Sequence, residues 1–219
     1  MKRIVLITVL LCTICATAFV LGGCKGNSSG FSEGEADINT IQPCDLSEEE
    51  AAIVDLISSG SFDSISEFAV DESYSRVRVG YDYFEKGKLI GESCNEVEMS
   101  FSYEDGPQTS FGKIYTDIDD DDAEISISIS GSKGDETSQT GGKSPLSNYD
   151  HTLEDLSGQA RIALEEPVTI TNNKKIYIWA TVGDNKDETR VSDISTVMAD
   201  KEILAEYDKA FVFYARFEQ

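Results

Sequence analysis

From about residue 60 the chain alternates. Val77, Val79, Tyr81 and Tyr83 take turns with Arg76, Arg78, Gly80 and Asp82, the period of two expected of a strand with one apolar face. Val97, Met99, Phe101 and Tyr103 alternate with Glu98, Ser100 and Ser102 in the same way. Ile114, Thr116 and Ile118 begin a third run. Ile125, Ile127 and Ile129, set against Ser126, Ser128 and Ser130, make the cleanest one-face-buried pattern in the chain. Turn signals separate these runs. Glu85-Lys86-Gly87-Lys88 puts a glycine where positive φ is needed, Asp105-Gly106-Pro107 breaks the second run, and Asp119–Asp122 is an acidic turn. The pattern predicts an antiparallel meander.

Further along, Gly131–Ser147 is rich in Gly, Ser and Thr and reads as a long loop. Strands resume over Gln159–Ile170, turn at Asn172-Asn173 and continue as Lys174–Val182. A short helix is predicted near Lys201–Glu206. Ala210–Phe217 carries Phe211, Phe213, Tyr214 and Phe217, and so many aromatics at a terminus predict a central core strand. Ahead of all these, Ser47 and Glu50 form an S-x-x-E capping box. Ile53, Leu56 and Ile57 make a helical stripe that Gly60 stops. No β-α-β alternation appears. The predicted fold is therefore mostly β: an antiparallel β-sandwich of about seven to nine strands with an N-terminal capping helix.

Charge narrows the partners. The chain of 219 residues carries 41 acids against 18 Lys and Arg, a formal −23. Such a surface repels nucleic acid and other polyanions, so no nucleic-acid partner is expected. The acids are spread among apolar residues, as in a folded acidic domain rather than a disordered tail.

The first two dozen residues are of another kind. Lys2 and Arg3 precede 18 uncharged residues, Ile4–Leu21, the layout of a secretory signal. The run ends in Leu21-Gly22-Gly23-Cys24. That tetrad resembles the lipobox of bacterial lipoprotein precursors. The resemblance implies a diacylglyceryl group on the Cys24 sulfur, cleavage before Cys24, and residence on the outer face of the cell membrane. It implies a signal peptide over 1–23, and the Gly/Ser-rich stretch over 24–43 then reads as a flexible tether spanning roughly 25 Å. The extracytoplasmic domain is 44–219. The chain is similar in this respect to exported lipoproteins of Gram-positive bacteria.

Candidate chemistry is sparse. Cys12 and Cys15 leave with the signal, so Cys44 and Cys94 remain as a candidate disulfide in a permissive compartment. Asp117, Asp119 and Asp121 place carboxylates at alternate positions, as calcium ligands are placed. The run departs from an EF-hand loop, with Asp122 where Gly is required and Ser128 in place of the bidentate Glu. A solvated hairpin tip explains the same residues. Gly142-Lys143-Ser144 lacks the first glycine and the helix of a phosphate loop. Ser130-Gly131-Ser132-Lys133 lies on a strand, where S-x-x-K chemistry needs a helix. His151 is the single histidine, which excludes multi-histidine metal sites. Tyr177 and Trp179 share one face of a strand whose other face is Ile176, Ile178, Ala180 and Val182. Facing outward they would form a platform for sugar rings or a protein; covered by a helix or loop they would be core. No cofactor is expected. A membrane-anchored binding or envelope-interaction module, without catalysis, fits best. A hydrolase acting on envelope or sugar substrates comes second, and a calcium-dependent adhesion module third.

Overall fold

The computed structural model describes residues 37–49, 52, 62–101, 109–119, 124–133, 136–145, 158–185 and 193–219. These residues form β1 (Thr40–Pro43), β2 (Phe62–Asp71), β3 (Arg76–Glu85), β4 (Lys88–Ser100), β5 (Thr109–Asp119) and β6 (Glu124–Lys133). They continue as β7 (Glu136–Pro145), β8 (Gly158–Ala163), β9 (Val168–Thr169), β10 (Lys175–Asp184) and β11 (Lys209–Glu218). One sheet has six strands in the order β7-β6-β5-β2-β1-β9, the other five in the order β4-β3-β11-β10-β8. Every pairing is antiparallel.

The alternating isoleucines dictate how the sheets meet. Ile114, Ile118, Ile125, Ile127 and Ile129 from one sheet join Val77, Val79, Tyr81, Tyr83, Phe211, Phe213 and Phe217 from the other in a single buried core. Aromatic edges interlock there: Phe68 meets Phe217 at 5.2 Å, and Tyr83 meets Phe211 at 4.8 Å. Two inner-face glycines make room. The Phe68 ring occupies the space a Cβ at Gly112 would need, and the Met99 methyl lies 2.7 Å from one at Gly131.

The five-stranded sheet is also covered over the middle of its outer face. A helix, Ile194–Ala199, and a 3₁₀ helix, Lys201–Glu206, lay Ile194, Val197 and Leu204 on Phe84, Ile162, Ala180, Val182, Ala210 and Val212. The second of these is where the sequence predicted a short helix. Asp193 caps the first, accepting from the Thr196 backbone N–H at 2.9 Å, which satisfies a donor the helix cannot. With both faces covered, β10 is buried from Ile176 to Asp184 and β11 from Ala210 to Ala215. The aromatic C-terminal strand is central, as expected.

Four sequence expectations need revision. Eleven strands stand among the described residues where seven to nine were expected. Thr40–Pro43, read as the end of the tether, is a strand between β2 and β9, with Ile41 fully buried. The predicted loop Gly131–Ser147 contains the end of β6 and all of β7, paired from Lys133↔Glu136 to Glu124↔Pro145. Its backbone hydrogen bonds follow β6 even though its side chains offer little to bury. The fourth concerns β10, where the pairing with β11 shifts between Tyr177 and Trp179. This bulge reverses the alternation: Ile176, Ile178 and Trp179 enter the inter-sheet core, while Tyr177, Ala180 and Val182 face the helices. The Lys86-Gly87 turn does match its expectation, with φ of 49° and 75°, as a two-residue hairpin with two positive φ values requires. Of the predicted N-terminal capping helix, Glu48, Glu49 and Ala52 are helical and exposed. Glu50, the stripe Ile53, Leu56, Ile57 and the stop Gly60 lie outside the described residues. So do Tyr103, the Asp105-Gly106-Pro107 break and His151.

Candidate functional site

Because Ile114, Thr116 and Ile118 point inward on β5, Tyr115 and Asp117 point outward. The same argument on β6 sends Ser126 and Ser128 outward. Register then assembles two rows on the outer face. Asp117 pairs with Ser126, and Ser126 with Lys143; Tyr115 pairs with Ser128, and Ser128 with Gly141. At the strand spacing of a sheet each row spans about 10 Å, and the rows lie about 7 Å apart. Together with Gly142 they line a groove of about 400 Å³.

The groove has distinct ends. Tyr115 and Asp117 wall the β5 side, Asp117 being only 7% exposed. On the β7 side Gly141 carries no side chain, and a Cβ there would come within 3.0 Å of the Ile127 carbonyl and 3.3 Å of Ser128 Oγ. Ser128 Oγ accepts from Gln139 Nε2 at 3.1 Å and donates to the Thr140 carbonyl at 3.4 Å. Lys143 Nζ is shared with Glu124 at 3.5 Å. An aromatic face, two hydroxyls, a carboxylate and a partly neutralised ammonium can bind by stacking and hydrogen bonding.

A second polar cluster sits on the outer face of the five-stranded sheet. Asp82, 1% exposed, accepts from Lys175 Nζ at 2.7 Å, Tyr177 OH at 3.1 Å and the Ser93 backbone N–H at 2.9 Å. Lys175 also stands 4.3 Å from the centre of the Tyr214 ring. Tyr214 OH and Arg216 both donate to Glu96, at 2.7 and 2.8 Å. Burial first, then the neighbouring Asp82 carboxylate, raises the Tyr177 phenol well above its usual range. Burial also raises Tyr214, with its hydrogen bond to Ser93 opposing and that to Glu96 adding. Gly80 leaves the space this cluster fills, since a Cβ there would meet Glu96 Cγ at 2.9 Å and Tyr214 OH at 3.0 Å. These groups face one another. The cluster locks β4, whose Ser93 and Asn95 take φ of 53° and 52°, against β3.

The structure treats the sequence candidates unevenly. Tyr177 and Trp179 are 4% and 0% exposed and lie on opposite faces of their strand, so the outward platform is ruled out. The Trp179 ring stacks on Phe213 at 4.5 Å, and its Nε1 donates to Thr116 Oγ1. Cys44 and Cys94 are free thiols. Cys44 follows β1, while Cys94 lies on β4, which packs beside β7 at the far edge. The four strand steps from β7 to β1 amount to about 19 Å, against a disulfide limit of about 7 Å. Burial raises the Cys94 thiol, and Asp82 adds to it. Asp117 joins the groove. The side chains of Asp119 and Asp121 lie outside the described residues, as does Cys24. Among the described residues no three His, Cys, Asp or Glu gather closely enough to hold a metal ion, and no helix is long and apolar enough to cross a membrane.

Sequence reasoning missed Tyr115, Ser126, Ser128, Gly141 and Lys143 as a set. The serine alternation on β6 did mark an outward polar face. What was lacking was β7, without which Gly141 and Lys143 had no register to place them. The sequence model of the YgaN domain matches residues 40–217, from the first residue of β1 to the penultimate residue of β11. No curated protein and no solved structure matches the chain.

Proposed function

The chain belongs to the YgaN domain family, and from the leader and the groove we propose that it is a lipid-anchored binding module on the extracytoplasmic face of the cell membrane. Its leader ends in Leu21-Gly22-Gly23-Cys24, so lipid on Cys24 would supply acyl chains enough for stable residence. The observation that carries the binding role is the groove across β5–β7, with Tyr115, Asp117, Ser126, Ser128 and Lys143 converging on it. Its polar groups come from register on a rigid sheet, which suits recognition rather than a moving catalytic loop. A formal charge of −23 disfavours nucleic acid and other polyanions as partners. A glycan or a protein of the envelope is the expected partner.

Two measurements test this reading. Cys24→Ser should abolish detergent-phase partition of the protein expressed in a bacterial host. Wild-type protein that fractionates in the aqueous phase with Met1 retained would refute the anchor. The full chain in detergent should also sediment with isolated cell envelopes, and Gly141→Leu, which fills the groove, should release it. Sedimentation unaffected by Gly141→Leu would refute the groove as the binding site.

A further inference from the structure

We propose that the β5–β7 groove binds an uncharged sugar, with one pyranose ring laid on Tyr115 and its hydroxyls shared among Asp117, Ser126 and Ser128. This deepens, and rests on, the binding-module reading above. A pyranose presents an apolar face of C–H groups and a rim of hydroxyls. The groove presents one aromatic ring on its β5 side and short polar side chains along its floor. A tyrosine gives flat apolar area at little entropic cost. A carboxylate accepts hydroxyl protons in short, charge-assisted hydrogen bonds, and Asp117 retains several acceptor sites whatever its protein partner is. The serine hydroxyls can donate or accept, as Ser128 already does.

Charge selects among sugars. The chain's −23 and the Asp117 carboxylate repel an acidic sugar, and the one cation lining the groove among the described residues, Lys143, is already shared with Glu124. A cationic ligand is drawn to the acidic surface at large, with nothing in this groove to select it, whereas the ring of Tyr115 beside the serine hydroxyls is particular to a neutral sugar. The neutral ligand is left. Size agrees: about 400 Å³ is at the small end for ligand pockets, room for one or two rings. Gly141 leaves the β7 side open, so a second ring can leave the groove over bare backbone.

The test is calorimetric titration of the full chain in detergent with chitotetraose and cellotetraose as neutral probes, hexagalacturonate as an acidic one and hexalysine as a cationic one. A neutral tetrasaccharide should bind through Tyr115 and the charged probes should not. Tyr115→Ala should weaken binding about tenfold or more, while Tyr115→Phe, which keeps the ring, should hold it within about threefold. Asp117→Asn should weaken it as well. Unchanged Trp179 emission in each variant verifies the fold, because that ring is enclosed in the core. If neutral probes fail to bind while Gly141→Leu still releases the protein from envelopes, the sugar is refuted and the binding module stands. If envelope sedimentation survives Gly141→Leu, the groove reading and the sugar fall together.

Discussion

Replacing Lys175 by Met should be the most damaging single change outside the inter-sheet core. The stem survives, so packing on Tyr214 is largely kept; the ammonium 2.7 Å from Asp82 is lost. Asp82, 1% exposed, then keeps only the Tyr177 hydroxyl and the Ser93 N–H as partners among the described residues. Removing one partner of a buried pair costs about 3–5 kcal/mol. The Lys175 side chain is 18% exposed, so water reaches the site through the same opening and the lower end, about 3 kcal/mol, applies. For a domain of this size that corresponds to a fall in Tm of about 6–12 °C. Urea unfolding of Lys175→Met should show a lower midpoint at unchanged m. The double variant Asp82→Asn/Lys175→Met should be more stable than Lys175→Met alone, since the amide oxygen still accepts from Ser93 and Tyr177 without a buried charge. A loss below about 1 kcal/mol, within the range of an exposed pair, would refute the closed-cluster description. So would a double variant less stable than the single one.

Three further outcomes are expected. Trp179, fully buried and stacked on Phe213, should emit in the blue and resist acrylamide; a red-shifted, quenchable emission would contradict the bulge in β10. Gly112→Ala pushes a methyl into the Phe68 ring and should destabilise by about 1–3 kcal/mol in chemical denaturation, whereas Gly142→Ala, whose Cβ meets only Val97 Cγ2 at 3.5 Å, should change stability far less. Hydrogen bonds from Ser195 and Thr196 hold Asp193 at about 2 against an ordinary 3.8; a depressed carboxylate stabilises above its unfolded value and loses that contribution as pH falls. Asp193→Ala should therefore lower Tm at pH 7, and the gap to wild type should close between about pH 4 and pH 2; a gap independent of pH would refute the cap.

Much of the fold was legible in local pattern. Ile125, Ile127 and Ile129 face the core because only one register of β6 hides all three, and their serine partners must then face out. Lys86-Gly87 announced its turn because positive φ at both central residues is affordable to few sequences. The aromatic density of Phe211, Phe213 and Phe217 demanded a site with neighbours on both sides, and β11 is central. The leader, too, is a purely local signal, and its Cys24 needs no fold to be read.

What the sequence could not settle depended on partners distant along the chain. β7 has almost no apolar side chain to betray it; it is a strand because β6 offers a free edge of backbone donors and acceptors, and only that pairing sets Gly141 and Lys143 beside Tyr115 and Asp117. Simple alternation put Tyr177 and Trp179 on one face, but β11 imposes a bulge between them and sends one to each side of the sheet. Cys44 and Cys94 could pair in sequence, and strand order holds them apart, one after β1 in the six-stranded sheet and one on the β4 edge of the other. Gly80 looked like an ordinary outward position between Val79 and Tyr81, until the fold brought Tyr214 and Glu96 over it from strands beyond β3 on either side. Side-chain period reports which face a residue takes within its own strand. Which neighbour it meets there is decided by long-range register, a property of two strands at once that neither contains alone.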